Sequence, residues 1–153
     1  MKRAKAPVSV RATAIRMLAR REHGRTELAQ RLKMRGAPAA EIESVLDELQ
    51  QLGLLSDARY AHSLVAQMSG RYARRAIVHT MKERSVDVDA VAEVDESLAA
   101  IDDATDALAL LTRRFPDPPA NDREKARQVR FLQSRGYALS LIFRLLRERS
   151  GGR

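Results

Sequence analysis

Residues 17–57 read MLARREHGRTELAQRLKMRGAPAAEIESVLDELQQLGLLSD. Leu28 and Leu32 sit four apart, and Ile42, Val45, Leu46, Leu49 and Leu52 recur at the three-and-four spacing of one helical face. Gly36 and Gly53 stand where helices should end, since glycine takes the left-handed cap conformation without a Cβ clash. Pro38 is tolerated in the first turn of the next helix, and Ser56 or Asp57 can open the one after. The stretch therefore predicts the end of one helix, two complete helices and the start of a fourth. Arg20, Arg21, Arg25, Arg31, Lys33 and Arg35 lie among its apolar positions, against only Glu22 and Glu27. A three-helix unit with a strongly basic middle helix is the result.

The rest of the chain has the same texture. Of 153 residues, 44% are apolar but only 4% aromatic, so a core of Leu, Ile, Val and Ala at helical spacing has to carry stability. The charged share, 31%, suits narrow helices that expose much surface for each residue they bury. No apolar run approaches the ~20 residues needed to cross a bilayer, and no signal peptide precedes the first helix, so no membrane partner is expected. Cysteine is absent, which excludes disulfides and thiolate metal sites and fits a reducing cytoplasm.

The net charge of +8 is distributed in blocks. Residues 1–36 carry eleven Lys and Arg against two Asp and Glu, whereas residues 87–110 carry eight acids and no base. Residues 71–86 and 111–153 are basic again, and 37–70 acidic. Such alternation predicts a striped surface that positions a polyanion.

Taken in order, residues 1–8 form a basic tail expected to be flexible. Nine helices should follow. The first runs from about Ser9 to His23, with Ile15, Leu18 and Ala19 inward; the second and third cover about Thr26–Arg35 and Ala39–Leu52. The fourth carries Tyr60, Ala61, Leu64, Val65 and Met68 on one face, and the fifth, about Tyr72–Arg84, buries Ile77 and Met81. The sixth begins near Asp87 or Asp89 with Val88, Val91, Ala92 and Leu98 inward. Asp102 and Asp103 cap a seventh with Ala107, Leu108, Leu111 and Phe115 inward. FPDPPAN, residues 115–121, is a loop, because its prolines cannot continue a helix. Asn121 caps the eighth helix, with Glu124 placed to complete a capping box. Leu139, Ile142, Phe143 and Leu146 mark the last.

The helices fall into register. At offsets of 49 and 100 residues, Leu28, Leu32, Arg35, Gly36, Ile42 and Val45 meet Ile77, Met81, Arg84, Ser85, Val91 and Val94, then Gln128, Leu132, Arg135, Gly136, Ile142 and Leu145. Gln128 alone changes chemistry in the third copy. The expected organisation is all-α without β-sheet: three tandem three-helix repeats over 9–56, 57–102 and 103–149, then a tail at 150–153. Stacked with a constant small rotation, such repeats build an elongated, curved rod, and their basic middle helices form a discontinuous positive track.

These residues resemble a known family. Met17 to Leu28, Lys33-Met-Arg-Gly36 and Gly53-Leu-Leu-Ser-Asp57-Ala-Arg-Tyr-Ala61 are similar to the RecX family, as are Glu124-Lys-Ala-Arg127 and Phe131-Leu-Gln-Ser-Arg-Gly136-Tyr. The resemblance runs from about Val10 to Arg147. The middle repeat departs from it: Ala73-Arg-Arg-Ala-Ile77 stands where the family usually has Gly-Pro-x-Arg-Ile, and Ser85 replaces a glycine. The resemblance implies a bacterial cytoplasmic regulator of the RecA recombinase. Such a protein lies in the groove of the RecA filament on single-stranded DNA and restrains recombinase and coprotease functions. It implies a monomer with no cofactor and no small-molecule substrate.

The expected RecA- and DNA-binding residues are the cations of the basic helices: Arg20, Arg21, Arg25, Lys33, Arg35, Arg74, Arg75, Lys82, Arg84, Arg123, Lys125, Arg127 and Arg130. Forked guanidinium groups suit bidentate contacts to phosphate or carboxylate oxygens. The competing role is solvation of helix faces, or, for Arg35, Arg84 and Arg135, pairing with carbonyls at helix ends. Reversing Arg74, Arg75 and Lys82 to Glu is expected to abolish filament binding with the helical content intact. Tyr60 is expected in the core, while Tyr72 and Tyr137, at helix boundaries, are expected to be exposed; three scattered tyrosines make no base-stacking platform. The carboxylates of Asp87, Asp89, Asp102 and Asp103 read as helix caps, and His23, His62 and His79 lack ligand spacing, so no metal site or catalytic group is expected. A stand-alone helical DNA-binding protein and a helical scaffold for an acidic protein are the other two readings.

Overall fold

The computed structural model describes residues 9–151, so the expected basic tail at 1–8 and the last two residues of the chain lie outside the described residues. All regular structure among them is helical: α1 (Val10–Arg20), α2 (Arg25–Met34), α3 (Ala39–Gln51), α4 (Asp57–Met68), α5 (Arg74–Glu83), α6 (Val88–Glu93), α7 (Asp95–Ala99), α8 (Asp103–Arg114), α9 (Asp122–Gln133) and α10 (Leu139–Arg149). The chain gathers into two compact units. One comprises the chain up to Ser63 with Lys82–Glu93; the other comprises Leu64–Met81 with the chain from Val94 onward. The middle expected repeat, 57–102, is thus shared between them.

In the first unit, α1, α2 and α3 close around Ala14, Met17, Leu28, Leu32, Ile42, Val45, Leu46, Leu49 and Leu55. In the second, α8, α9 and α10 close around Ala107, Leu110, Leu111, Leu132, Tyr137, Ile142, Leu145 and Leu146, with Ala73 from just before α5. Each core is aliphatic and assembled from the repeating positions. Left-handed backbone recurs at the turn of each copy, at Gly36, Ser85 and Gly136 (φ 87°, 50° and 88°). Ser85 therefore holds the turn of its glycine counterparts despite its Cβ. At Gly136 glycine is required twice over, because an added Cβ would lie 2.8 Å from the Cβ of Ala76.

The caps show how the middle helices are held. Ser56, rather than Asp57, caps α4 through a hydrogen bond from the Arg59 amide (3.2 Å). This frees the Asp57 carboxylate, which accepts from the Arg25 amide at the start of α2 (2.7 Å) and from the Asp87 amide before α6 (2.8 Å). Asp103 does the same for α5, accepting from the Arg74 amide (3.0 Å), while Asp102 caps its own helix α8. A carboxylate near the start of the following three-helix unit thus caps a middle helix twice, a correspondence that supports the repeat. Asp57→Ala leaves two amides without partners and should cost about 2 kcal/mol. Urea denaturation measures this, and Asn at the same position should recover part of the loss.

Several expectations need correction. The first helix stops at Arg20, because Arg21 is extended (φ −164°). The expected sixth helix is two, α6 and α7, with Val94 at the break. Val88 and Leu108 point outward (82% and 40% exposed), with Ala90 and Leu110 buried in their place. Ala19 and Ala92 are exposed and Ile15, Leu18, Val91 and Phe115 half-buried. Leu52, Leu139 and Phe143 are also exposed. Tyr137 is fully buried, its hydroxyl without a hydrogen-bond partner among the described residues. Burial, with the charges of Asp106 and Asp103 adding to it, pushes that phenol up to about 12.

Gln128 has a specific role in the third copy. It is buried, and its amide donates to the Asp117 carbonyl (3.3 Å) in the proline loop. Arg149 closes the same loop, donating to the carbonyls of Phe115 (2.6 Å) and Pro116 (3.1 Å). An aliphatic residue would fill the core position but leave the loop untied.

Candidate nucleoprotein-binding surface

The thirteen expected binding residues divide by what their charged groups already touch. Arg21 donates to the Glu27 carboxylate (2.5 Å) and the Glu22 carbonyl (2.9 Å). Arg25 spans to α3, pairing with Glu43 (2.7 Å) and Asp47 (2.8 Å) and hydrogen-bonding Gln50. Arg84 donates to the hydroxyl of buried Tyr60 (2.7 Å). In the second unit, Arg74 donates to the Ile101 carbonyl (2.6 Å), and Arg75 to the carbonyls of Gly136 and Tyr137. Lys125 lies over the Phe143 ring and Arg127 over that of Phe115, at 5.6 and 5.5 Å. These seven cations fasten one element to another.

The other six, Arg20, Lys33, Arg35, Lys82, Arg123 and Arg130, are exposed and make no ion pair among the described residues. Arg123 and Arg130 lie seven apart on α9, two turns along one face. Lys33 and Arg35 close the C-terminal end of α2, and Lys82 lies in the last turn of α5. The paired arginines change one expectation. Reversing Arg74 and Arg75 would remove clamps on four backbone carbonyls, those of Ala99, Ile101, Gly136 and Tyr137, so any loss of binding would come with loss of packing.

The first unit carries a polar network of its own. Burial raises the Glu27 pKa, but hydrogen bonds from Arg21 and Tyr60 outweigh it and hold the carboxyl below its ordinary value. Burial raises the Tyr60 phenol, and its hydrogen bond to Glu27 raises it further. Burial lowers His23, whose Nδ1 lies 3.0 Å from the Arg21 carbonyl. Because Glu27 is depressed in the folded state, its contribution is complete above pH 4.5 and is lost as pH falls through the lower folded value. Thermal melts from pH 7 to 3 should therefore show an acid limb that is shallower in Glu27→Gln than in the parent chain.

A second cluster of cations lay outside the expected set. Arg71, Arg113, Arg114 and Arg135 line one open groove with Tyr72 and Phe131. Their sequence signals were the Arg-Arg pair in the last turn of α8, Arg71 beside Tyr72, and Arg135 before the turn at Gly136, none of which periodicity distinguishes from solvated surface. Among the described residues no three or more His, Asp or Glu are grouped to hold a metal ion, and no helix is long and apolar enough to cross a membrane.

Comparison with known proteins gives a consistent result. The family description "RecX, first three-helix domain" matches residues 11–49, and "RecX, third three-helix domain" matches 102–146. The chain is 42% identical to the regulatory protein RecX of Pseudomonas savastanoi pv. phaseolicola, covering 95% of this chain and 94% of that one. It is 39% identical to the regulatory protein RecX of Leptothrix cholodnii, with 92% and 88% covered. In three dimensions it is similar to the crystal structure of RecX from Lactobacillus salivarius, with a TM-score of 0.62 at 18% identity over 92% of this chain and 94% of that chain. The last likeness concerns the fold.

Proposed function

The chain belongs to the RecX family, and on that footing we propose that it binds the filament formed by the RecA recombinase on single-stranded DNA and restrains it. ATP hydrolysis, strand exchange and coprotease activity are the functions it lowers. Family membership suggests the partner. The observation on this chain that carries the reading is the set of six exposed cations that make no ion pair among the described residues, Arg20, Lys33, Arg35, Lys82, Arg123 and Arg130. Cations that make no ion pair among the described residues keep their capacity for phosphate or carboxylate oxygens, and the paired arginines keep the helices that present them in place. The protein acts as a cytoplasmic monomer and uses binding alone, without a cofactor or a turned-over substrate.

The test is RecA-catalysed ATP hydrolysis on single-stranded DNA with the chain added from substoichiometric to equimolar amounts. Inhibition well below one chain per RecA is the expected result and indicates action on filament growth or continuity. A folded, helical sample that inhibits at no ratio would overturn the reading and leave stand-alone DNA binding in its place.

A further inference from the structure

Two junctions inside this chain are built alike. In the first unit, α2 begins at Arg25, its cap residue Gly24 offers no side-chain acceptor, and the Arg25 amide donates to Asp57, the first residue of α4. In the second unit, α5 begins at Arg74, whose amide donates to Asp103, the first residue of α8. The helix start is close-packed each time. A Cβ added at Gly24 would lie 2.9 Å from the Tyr60 ring, and Ala76 leaves no room for one at Gly136. Each of these middle helices is thus finished by the copy that follows it, not by its own sequence. A junction of this kind can go on repeating from molecule to molecule unless the ends differ.

Both ends differ. Lys125 holds the register position of Arg25 and Arg74 in the third copy, but α9 begins almost a turn earlier, at Asp122. The Lys125 amide already donates to the Asn121 carbonyl (3.0 Å), so it is not on offer to a carboxylate of another molecule. The added turn is capped from within: the Asn121 side chain accepts from the Glu124 amide (2.9 Å), and the Glu124 carboxylate accepts from the Ala120 amide (2.7 Å). Exposed Glu124 also stands at the register position of buried Gly24 and Ala73. At the other end of the chain, Ser9 caps α1 as Ser56 caps α4, yet the next residue is Val10 where α4 has Asp57 and α8 has Asp103. Val10, Leu32, Gly36 and Ala37 help line an open groove of about 710 Å³. A Cβ added at Gly36 would meet nothing within 4 Å, against a neighbour at 2.8 Å for Gly136.

We propose that these two ends are finished against each other. The extra turn of α9 and the missing carboxylate at Val10 stop the third copy of one molecule from docking on the first copy of the next. The groove beside Gly36 has room for a helix start but lacks the acceptor that would hold one, so the array ends at three copies and a second molecule of this chain is refused. Repulsion between molecules of net charge +8 also opposes contact, but salt screens it and it is indifferent to which end is altered.

The experiment is sedimentation velocity of the chain from micromolar to near-millimolar concentration, at low and high salt, without RecA or nucleic acid. The parent should remain a single monomeric species throughout. Val10→Asp restores the acceptor, and Asn121→Ala with Glu124→Gly opens the helix start. Each of these variants has one repaired end and should stay monomeric alone. Mixed in equal amounts, they should form a one-to-one complex and stop there. The chain carrying all three changes should grow past a dimer as concentration rises, since a head-to-tail contact leaves an end free on every dimer. Far-ultraviolet spectra and melting curves establish that each variant is folded, and Glu124→Gly alone replaces the α9 pair if that pair unfolds. A parent that self-associates in high salt would overturn the proposal. So would a mixture of folded repaired variants that yields only monomers, or a single-end variant that associates alone as strongly as the mixture. None of these outcomes bears on the RecA reading, because neither RecA nor DNA is present.

Discussion

Leu46→Ala will lower the unfolding free energy by about 2–5 kcal/mol, as measured by urea or thermal denaturation. Leu46 is fully buried and stands with Leu28, Leu32, Leu49 and Ile42 in the core of the first unit. Removing three carbons there forfeits both their transfer energy and the contacts around the void. The size of the loss depends on collapse, and collapse is limited. Arg25 ties α2 to α3 through Glu43 and Asp47, and Asp57 ties the start of α2 to the segment before α6. A core held by polar clamps cannot close readily around a cavity, so the upper part of the range is expected. Leu52→Ala, at a 56% exposed position of the same apolar pattern, should cost far less. Equal costs would mean that burial at Leu46 does not set the stability of this unit.

The contrast between Leu46 and Leu52 also shows what could be read in the chain beforehand. Leu28, Leu32, Ile42, Val45, Leu46 and Leu49 are all buried where spacing placed them, and the turns at Gly36, Ser85 and Gly136 share one backbone conformation. Both features are local, so sequence spacing reports them. Periodicity failed where apolar residues crowd. Around α10, Leu139, Leu141, Ile142, Phe143, Leu145 and Leu146 cannot all face one way, and only the partner helices decide that Ile142, Leu145 and Leu146 go inside. It failed again at Val94, since Ala90, Val94 and Leu98 keep helical spacing across a break in the helix.

The charge of the candidate surface was legible, but the pairing of its arginines was not. Basic helices could be seen in the charge blocks, yet the partners that engage Arg25, Arg75 and Arg84 lie 18, 61 and 24 residues away. No local pattern announces such pairs. The same holds for the groove: Arg71 and Tyr72 reach Arg135 across 64 positions of chain, as the hydrogen bond from Arg135 to the Arg71 carbonyl records. Scattered tyrosines gave no stacking platform in the sequence, and Tyr72 meets the Arg135 guanidinium only through folding.

Reversing Lys33, Arg35, Lys82, Arg123 and Arg130 to Glu will abolish inhibition of RecA ATPase at equimolar chain while leaving the far-ultraviolet spectrum and melting temperature close to those of the parent. None of the five makes an ion pair among the described residues, and all are exposed, so the fold does not depend on their charge. Surface substitutions of this kind usually change stability by no more than about 0.5 kcal/mol each. Five reversals take the net charge from +8 to −2, so lost inhibition could reflect bulk repulsion. Arg16→Glu, Arg144→Glu and Arg147→Glu together supply the control, removing six units of charge elsewhere. If position matters, the control keeps most of its inhibition at 0.15 M salt, where charges beyond about 8 Å are screened. Dividing the set then locates the contact. Lys33 with Arg35 tests α2, Lys82 tests α5, and Arg123 with Arg130 tests α9; a partner that spans the repeats makes each partial variant weaker than the parent. Full inhibition by the fivefold variant would remove the basic middle helices from the binding surface. It would leave the clamped arginines as architecture and nothing more.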